Sequence, residues 1–256
     1  MKRVSAVVAL VLLAITFAAV PLEAGRLVVA NDEWMLSDAY FSSPGTQPGQ
    51  FALNVAQWFT GSSTGNNFLV YSNNFGLTGS ALAAVMGAGN TWTFTSTPAD
   101  PNPSLASLQA YDAVFIAGNP VNNATLVDYV NSGGNVFLEG GTAVGGGAAA
   151  EAARWQTFLN AFGLEFEPSY NPISGNIAIN NAHPIFTGVS ALFQDSGNTV
   201  LDINPSDPRG AVVFSDQGRG LYAVYDSGST PVPEPHTLWL LGCGLIGFIG
   251  LKRKTP

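Results

Sequence analysis

Between residues 25 and 230, short apolar runs alternate with segments of helical periodicity, and this alternation limits the open folds most. Residues 27–30, 68–71, 113–117 and 135–138 are almost wholly apolar, and 91–95 alternates Thr with Trp and Phe. Runs this short and this greasy read as strands buried on both faces. Residues 50–60 place Phe51, Val55, Trp58 and Phe59 on one side of a helix, and 148–162 does the same with Trp155, Phe158, Leu159 and Phe162. Residues 78–86, closed by Gly87 and Gly89, and 123–131, opened by an Asn cap and stopped by Ser132-Gly133-Gly134, read as two more helices. Strands alternating with amphipathic helices predict an α/β fold, a mainly parallel sheet with helices on both faces. From Gly163 onward the pattern changes to strand-like segments at 164–167, 176–179, 199–201, 211–214 and 221–225, a strand-rich C-terminal extension that prolongs the sheet or caps its edge. No repeat of 20–50 residues is seen.

The two ends of the chain differ from this middle. Lys2 and Arg3 precede an apolar stretch from Val4 to Val20, and Ala24 then precedes Gly25. This is the pattern of a secretory signal peptide, residues 1–24, which takes no part in the fold. At the other end Pro233, Glu234 and Pro235 stand before an uncharged run from 237 to 251, followed by Lys252, Arg253 and Lys254. The prolines fix φ and lack an N–H, so Glu234 is held on stiff, extended chain. Fifteen residues make a helix of about 22 Å, short against a bilayer core of about 30 Å. Such a segment suits a temporary transmembrane anchor, with the basic cluster held on the cytoplasmic side. The expected organisation is a signal peptide (1–24), an α/β domain (25–226), a linker (227–231) and a sorting tail (232–256).

Composition narrows the chemistry. The segment from 25 to 230 holds fifteen carboxylates against Arg26, Arg154, Arg209 and Arg219, which leaves a net charge of −11 and no lysine. Phosphate recognition needs clustered Lys and Arg, so nucleic acid is excluded as a partner. Cys243 is the single cysteine and lies in the tail, so the domain has no disulfide and no thiol nucleophile. His183 is its single histidine, which excludes a multi-histidine zinc site. No cofactor is expected: Gly140-Gly141 and Gly145-Gly146-Gly147 precede a helix but lack the Lys of a phosphate loop.

The tail, from Pro-Glu-Pro through the apolar run to the basic stop, resembles the PEP-CTERM sorting signal. That resemblance implies an exosortase-type membrane enzyme as partner, processing near Pro-Glu-Pro and delivery to the cell envelope or to extracellular polysaccharide. The domain resembles the class I glutamine amidotransferase-like superfamily in residues 27–32, 108–118, 126–138 and His183-Pro184-Ile-Phe-Thr-Gly188. That likeness implies a flavodoxin-like fold. The superfamily's enzymes carry a cysteine in the turn after the strand at 135–138, where this chain reads Glu139-Gly140-Gly141-Thr142-Ala143. Amidotransferase chemistry is therefore not implied, and the likeness falls to nucleophile-free relatives such as the ThuA-like group.

In open α/β sheets ligands bind outside the carboxyl ends of the strands. Those ends offer Asp32, Glu33, Trp34, Asn73, Asn74, Asn119, Glu139 and Thr142, with His183 in a later loop; Trp34 is placed at the rim for sugar stacking. Two readings follow. One is a non-catalytic binding or structural module. The alternative is a carbohydrate-active or other hydrolase in which Glu139 and His183 share a proton and Thr142 serves as a weak nucleophile. Asp32, Glu33 and Glu139 supply oxygen donors for a hard cation, yet no run has EF-hand spacing, and no metal is expected.

Overall fold

The computed structural model describes residues 25–95 and 103–229. The expected signal peptide, the Pro-Glu-Pro tripeptide, the transmembrane segment at 237–251 and the basic stop lie outside the described residues. Among the described residues no helix is long and apolar enough to cross a membrane.

The chain runs β1 (Arg26–Ala30), α1 (Asp38–Phe41), α2 (Pro48–Thr60), β2 (Asn67–Ser72), α3 (Phe75–Thr78), α4 (Ser80–Gly87), β3 (Thr91–Thr95), α5 (Leu105–Leu108), β4 (Ala113–Ala117), α6 (Asn123–Asn131), β5 (Asn135–Glu139) and α7 (Ala148–Asn160). It continues through β6 (Leu164–Tyr170), β7 (Ser174–Ala178), a 3-10 turn (Pro184–Phe186), β8 (Ala191–Asp195), β9 (Asn198–Asp202), β10 (Gly210–Asp216) and β11 (Arg219–Asp226). Seven strands form one sheet in the order β10-β11-β1-β5-β4-β2-β3. The five strands from β1 to β3 in that order are parallel, and β11 and β10 join antiparallel on the β1 side.

The fold is thus α/β with a mostly parallel sheet. Its strand order is not the flavodoxin-like 2-1-3-4-5. That order would place β1 between β2 and β3, whereas β1 lies between β5 and β11. Starting the count at β2 and moving β1 to the end restores the flavodoxin-like order. The C-terminal strands also divide. β10 and β11 extend the sheet, while β6 with β9 and β7 with β8 form two separate ribbons.

Alternation along each strand sends side chains to two cores. On one face Val28, Val70, Phe115 and Phe137 meet Phe51 and Val55 of α2 and Leu82 and Met86 of α4. Phe68, Phe115 and Phe137 form a row of rings, with centroids 5.5 and 5.2 Å apart, and Phe51 closes on Phe137 at 6.3 Å. On the other face Leu27, Val114, Ile116 and Val136 meet Leu126 and Tyr129 of α6 and Trp155 and Phe158 of α7. Helices therefore cover both faces, as the continuous apolar strands require.

Local chemistry sets the element ends. Pro48 starts α2 and Gly61, at φ 79°, stops it. Asn122 caps α6 by accepting from Ala124 N and Thr125 N. The cap is thus one residue earlier than the sequence suggested, and Asn123 instead ties α6 to α7 through Arg154 O and Phe158 N. The expected helix at 78–86 divides into α3 and α4 at Gly79. The two ends of the described domain meet: Ser227 donates through N and Oγ to the Gly25 carbonyl, beside the β1–β11 pair.

Candidate functional site

Glu139 ends β5 at the centre of the carboxyl edge, paired with Ala30 on one side and Ala117 on the other. It follows Phe137 by two residues, so its side chain lies on the Phe51 face of the sheet. Alanines on both flanks leave room there for a carboxyl group. Gly76 covers it from α3, and a Cβ on that glycine would lie 2.5 Å from Glu139 Oε2. Glu139 is 0 % exposed, and neither carboxyl oxygen has a hydrogen-bond partner among the described residues. Burial raises its pKa well above the ordinary value, and the charges of Asp32 and Glu33 push it further the same way.

Asp32 and Glu33 follow β1. Asp32 is 1 % exposed and accepts from Trp34 N and from Asp195 N at the end of β8. Burial raises it to about 6 against the opposing pull of those backbone bonds. Glu33 is only half-buried and accepts from the Asn74 amide. Burial raises it to about 7, aided by the Asp32 charge. Asn74 also caps α3 through Gly76 N, so one amide side chain ties the loop after β1 to the loop after β2. Trp34 is half-buried beside these acids, its ring 4.5 Å from that of the exposed Phe75 and 5.6 Å from Tyr40. Asn73 is exposed nearby, its Oδ1 close against Gly118, while Asn119 is buried with its Nδ2 unpartnered among the described residues.

The structure does not bring His183 to this edge. His183 caps the 3-10 turn at Pro184–Phe186, accepting from Ile185 N, and its ring lies 5.4 Å from that of Trp58. The Trp58 carbonyl accepts from Arg26, whose guanidinium lies over the same indole. Arg26 begins β1 and Ala30, the partner of Glu139, ends it. The strand between them spans about 13 Å at ~3.3 Å per residue. Glu139 and His183 therefore sit on opposite edges of the sheet, beyond proton-transfer reach. Burial lowers the His183 pKa, with the Asp226 charge opposing.

Thr142 is likewise engaged elsewhere. Its hydroxyl donates at 2.6 Å to Oε1 of Glu151, which also accepts from Thr142 N, while Glu151 Oε2 accepts from Ala143 N. Glu151 is a fully buried carboxylate that the sequence reading did not single out. The available signal was an acid in the first turn of α7, where it faces unpaired amides. Tyr222 and Gln194 were missed as well. Tyr222 pairs with Ala30 beside Glu139, and its hydroxyl accepts from Gln194 Nε2 at 2.6 Å and donates to Met35 Sδ at 2.9 Å. Among the described residues no group of three or more His, Cys, Asp or Glu is arranged to hold a metal ion.

Comparison with known proteins bears on the tail. Residues 231–254 match the family model described as the PEP-CTERM protein-sorting motif. No curated protein and no solved structure matches the chain. The motif marks an exported protein sorted by an exosortase through its C-terminal signal.

Proposed function

We propose that the chain is an exosortase substrate whose α/β domain is a non-catalytic binding module for the cell envelope or the polysaccharide around it. The sorting motif begins at residue 231, immediately after the described domain, and supports the route. The placement of Glu139 and His183 on opposite edges supports a role without hydrolysis, because no acid–base pair forms between them. Three other polar groups of the carboxyl edge serve the fold: Asp32 holds β8, Asn74 caps α3 and Glu151 closes the turn at Thr142.

Intact-mass analysis of the secreted protein, with and without the processing enzyme, tests the route. A species trimmed at both ends is expected with the enzyme, and a retained tail without it. Incubation with host polysaccharide tests the role: retention without new reducing ends is expected, and retention survives Glu139→Gln and His183→Ala. Release of reducing ends by the wild type, abolished by Glu33→Gln, would support a hydrolase instead. One observation favours that second reading: Glu33 is half-buried at the rim, with a proton affinity suited to acid–base work near neutral pH.

A further inference from the structure

The amino ends of the parallel strands carry an open cleft of about 490 Å³ between the turns that lead into β2, β4 and β5. A second cleft of about 310 Å³, ahead of β3, shares Gly65 and Asn66 with it, so the two adjoin along a trough that this turn divides. A third, of about 340 Å³, lies on the other side of the last turn of α2 and is lined by Trp58 and Arg26. Each is within the ~300–1,000 Å³ range of small-ligand sites. In sequence terms they follow one edge of the sheet from β1 to β3.

The lining chemistry selects among ligands. The central cleft presents Asn66, Gln109, Tyr111, Asp112, Ser132 and Asn135, with glycine backbone between them. Some of these groups are already committed: Asn135 holds Arg26 N and Asp112 O, and Asn66 holds Ser62 O and Asn90. Others keep capacity. Asp112 is exposed and accepts from Asn67 N through Oδ2 alone, and Gln109 is exposed and uses its amide nitrogen on Ser132 Oγ. Tyr111 adds a half-buried ring between them. Amide and carboxylate oxygens beside an aromatic ring suit a ligand that alternates hydroxyl donors with C–H faces. An apolar ligand would leave these groups desolvated and unpaired. Among the described residues no Lys or Arg lines the central cleft, which argues against a phosphorylated or acidic one. A peptide docking by strand addition needs a free strand edge, and this trough crosses strand ends.

We infer that the trough along the amino edge, centred on Gln109, Tyr111 and Asp112, binds a stretch of neutral polysaccharide. The inference rests on the binding-module reading and names its ligand class and its site. The bound strand then lies on the edge where β1 begins, the edge at which Ser227 joins Gly25.

The test uses the secreted protein with three probes: a neutral β-glucan hexasaccharide, a neutral α-glucan hexasaccharide and an alginate hexasaccharide, with calorimetry as the readout. At least one neutral probe is expected to bind. Gln109→Ala with Asp112→Asn is expected to weaken it at least tenfold at unchanged Tm, since both positions are exposed and the amide oxygen that replaces the carboxylate still accepts from Asn67 N. Phe75→Ala, at the opposite edge, should leave it unchanged. Binding that Phe75→Ala abolishes and the double variant does not would overturn the site while leaving a binding module. Preference for alginate would overturn the neutral class. Failure of all three probes and of host polysaccharide to bind would overturn the module reading itself.

Discussion

Gly76 sits directly against Glu139: a Cβ at residue 76 would fall 2.5 Å from the Glu139 carboxyl and 2.5 Å from the Glu33 carbonyl oxygen. One of those atoms is backbone and cannot rotate away. Gly76→Ala is therefore expected to destabilise the domain by about 1–3 kcal/mol through overpacking. The loss is read as a lower urea midpoint at unchanged slope. Glu139→Ala in the same chain frees one of the two contacts and should recover part of the loss; a fully additive double variant would show that the carboxyl does not meet residue 76.

The carboxyl edge also predicts the direction of pH dependence. Asp32 and Glu33 have folded pKa values raised to about 6 and about 7. The folded state thus keeps protons that the unfolded state has released. The stability these groups contribute is complete below their unfolded pKa values near 4 and is lost as pH rises through 6 to 7. Glu139 acts in the same direction. Thermal scans should give a higher Tm at pH 5 than at pH 8. The large negative charge of the domain pushes the same way, so the decisive readout is a variant. Glu139→Gln keeps shape without charge and should raise Tm at pH 8 more than at pH 5, flattening the profile. Equal shifts at both pH values would contradict the assignment.

Tyr222 and Gln194 form a buried pair that carries a separate prediction. Tyr222→Phe removes the acceptor of Gln194 Nε2 and leaves a buried amide with its donor unpaired, at a cost of about 1–3 kcal/mol. Tyr222→Phe with Gln194→Leu removes both polar partners and should be nearer neutral than the sum of the single changes. A double-mutant cycle by chemical denaturation measures the coupling; a coupling near zero would show that the hydroxyl does not satisfy the amide.

The parts of the fold that sequence patterns revealed are those whose information is local. The strands at 113–117 and 135–139 are apolar on both faces, and Glu-Gly-Gly marked the strand end that carries Glu139. β8 escaped notice because its inward positions are Leu192 and the polar Gln194, which is 1 % exposed only because Tyr222 receives it. The place of β1 between β5 and β11 depends on pairings such as Val28 with Val224, nearly two hundred residues apart, and no short pattern encodes them. The same holds for the site. Asp32, Glu33 and Glu139 were readable as strand-end carboxylates, but Gly76 above them and the distance to His183 follow from the assembled sheet.

The last strand before the sorting tail also completes the sheet. β11 lies between β10 and β1, and it supplies Leu221, Tyr222, Ala223 and Val224 to the two cores. Its loss would expose the β1 edge and strand β10, which pairs with β11 alone in the sheet. A chain ending at residue 218 should therefore fail to fold cooperatively, while one ending at residue 229 should unfold in a single transition. Circular dichroism with limited proteolysis distinguishes them: rapid cleavage throughout the shorter chain is expected, against a resistant core in the longer one. A stable, protease-resistant core in the chain ending at residue 218 would break this link between β11 and closure of the sheet.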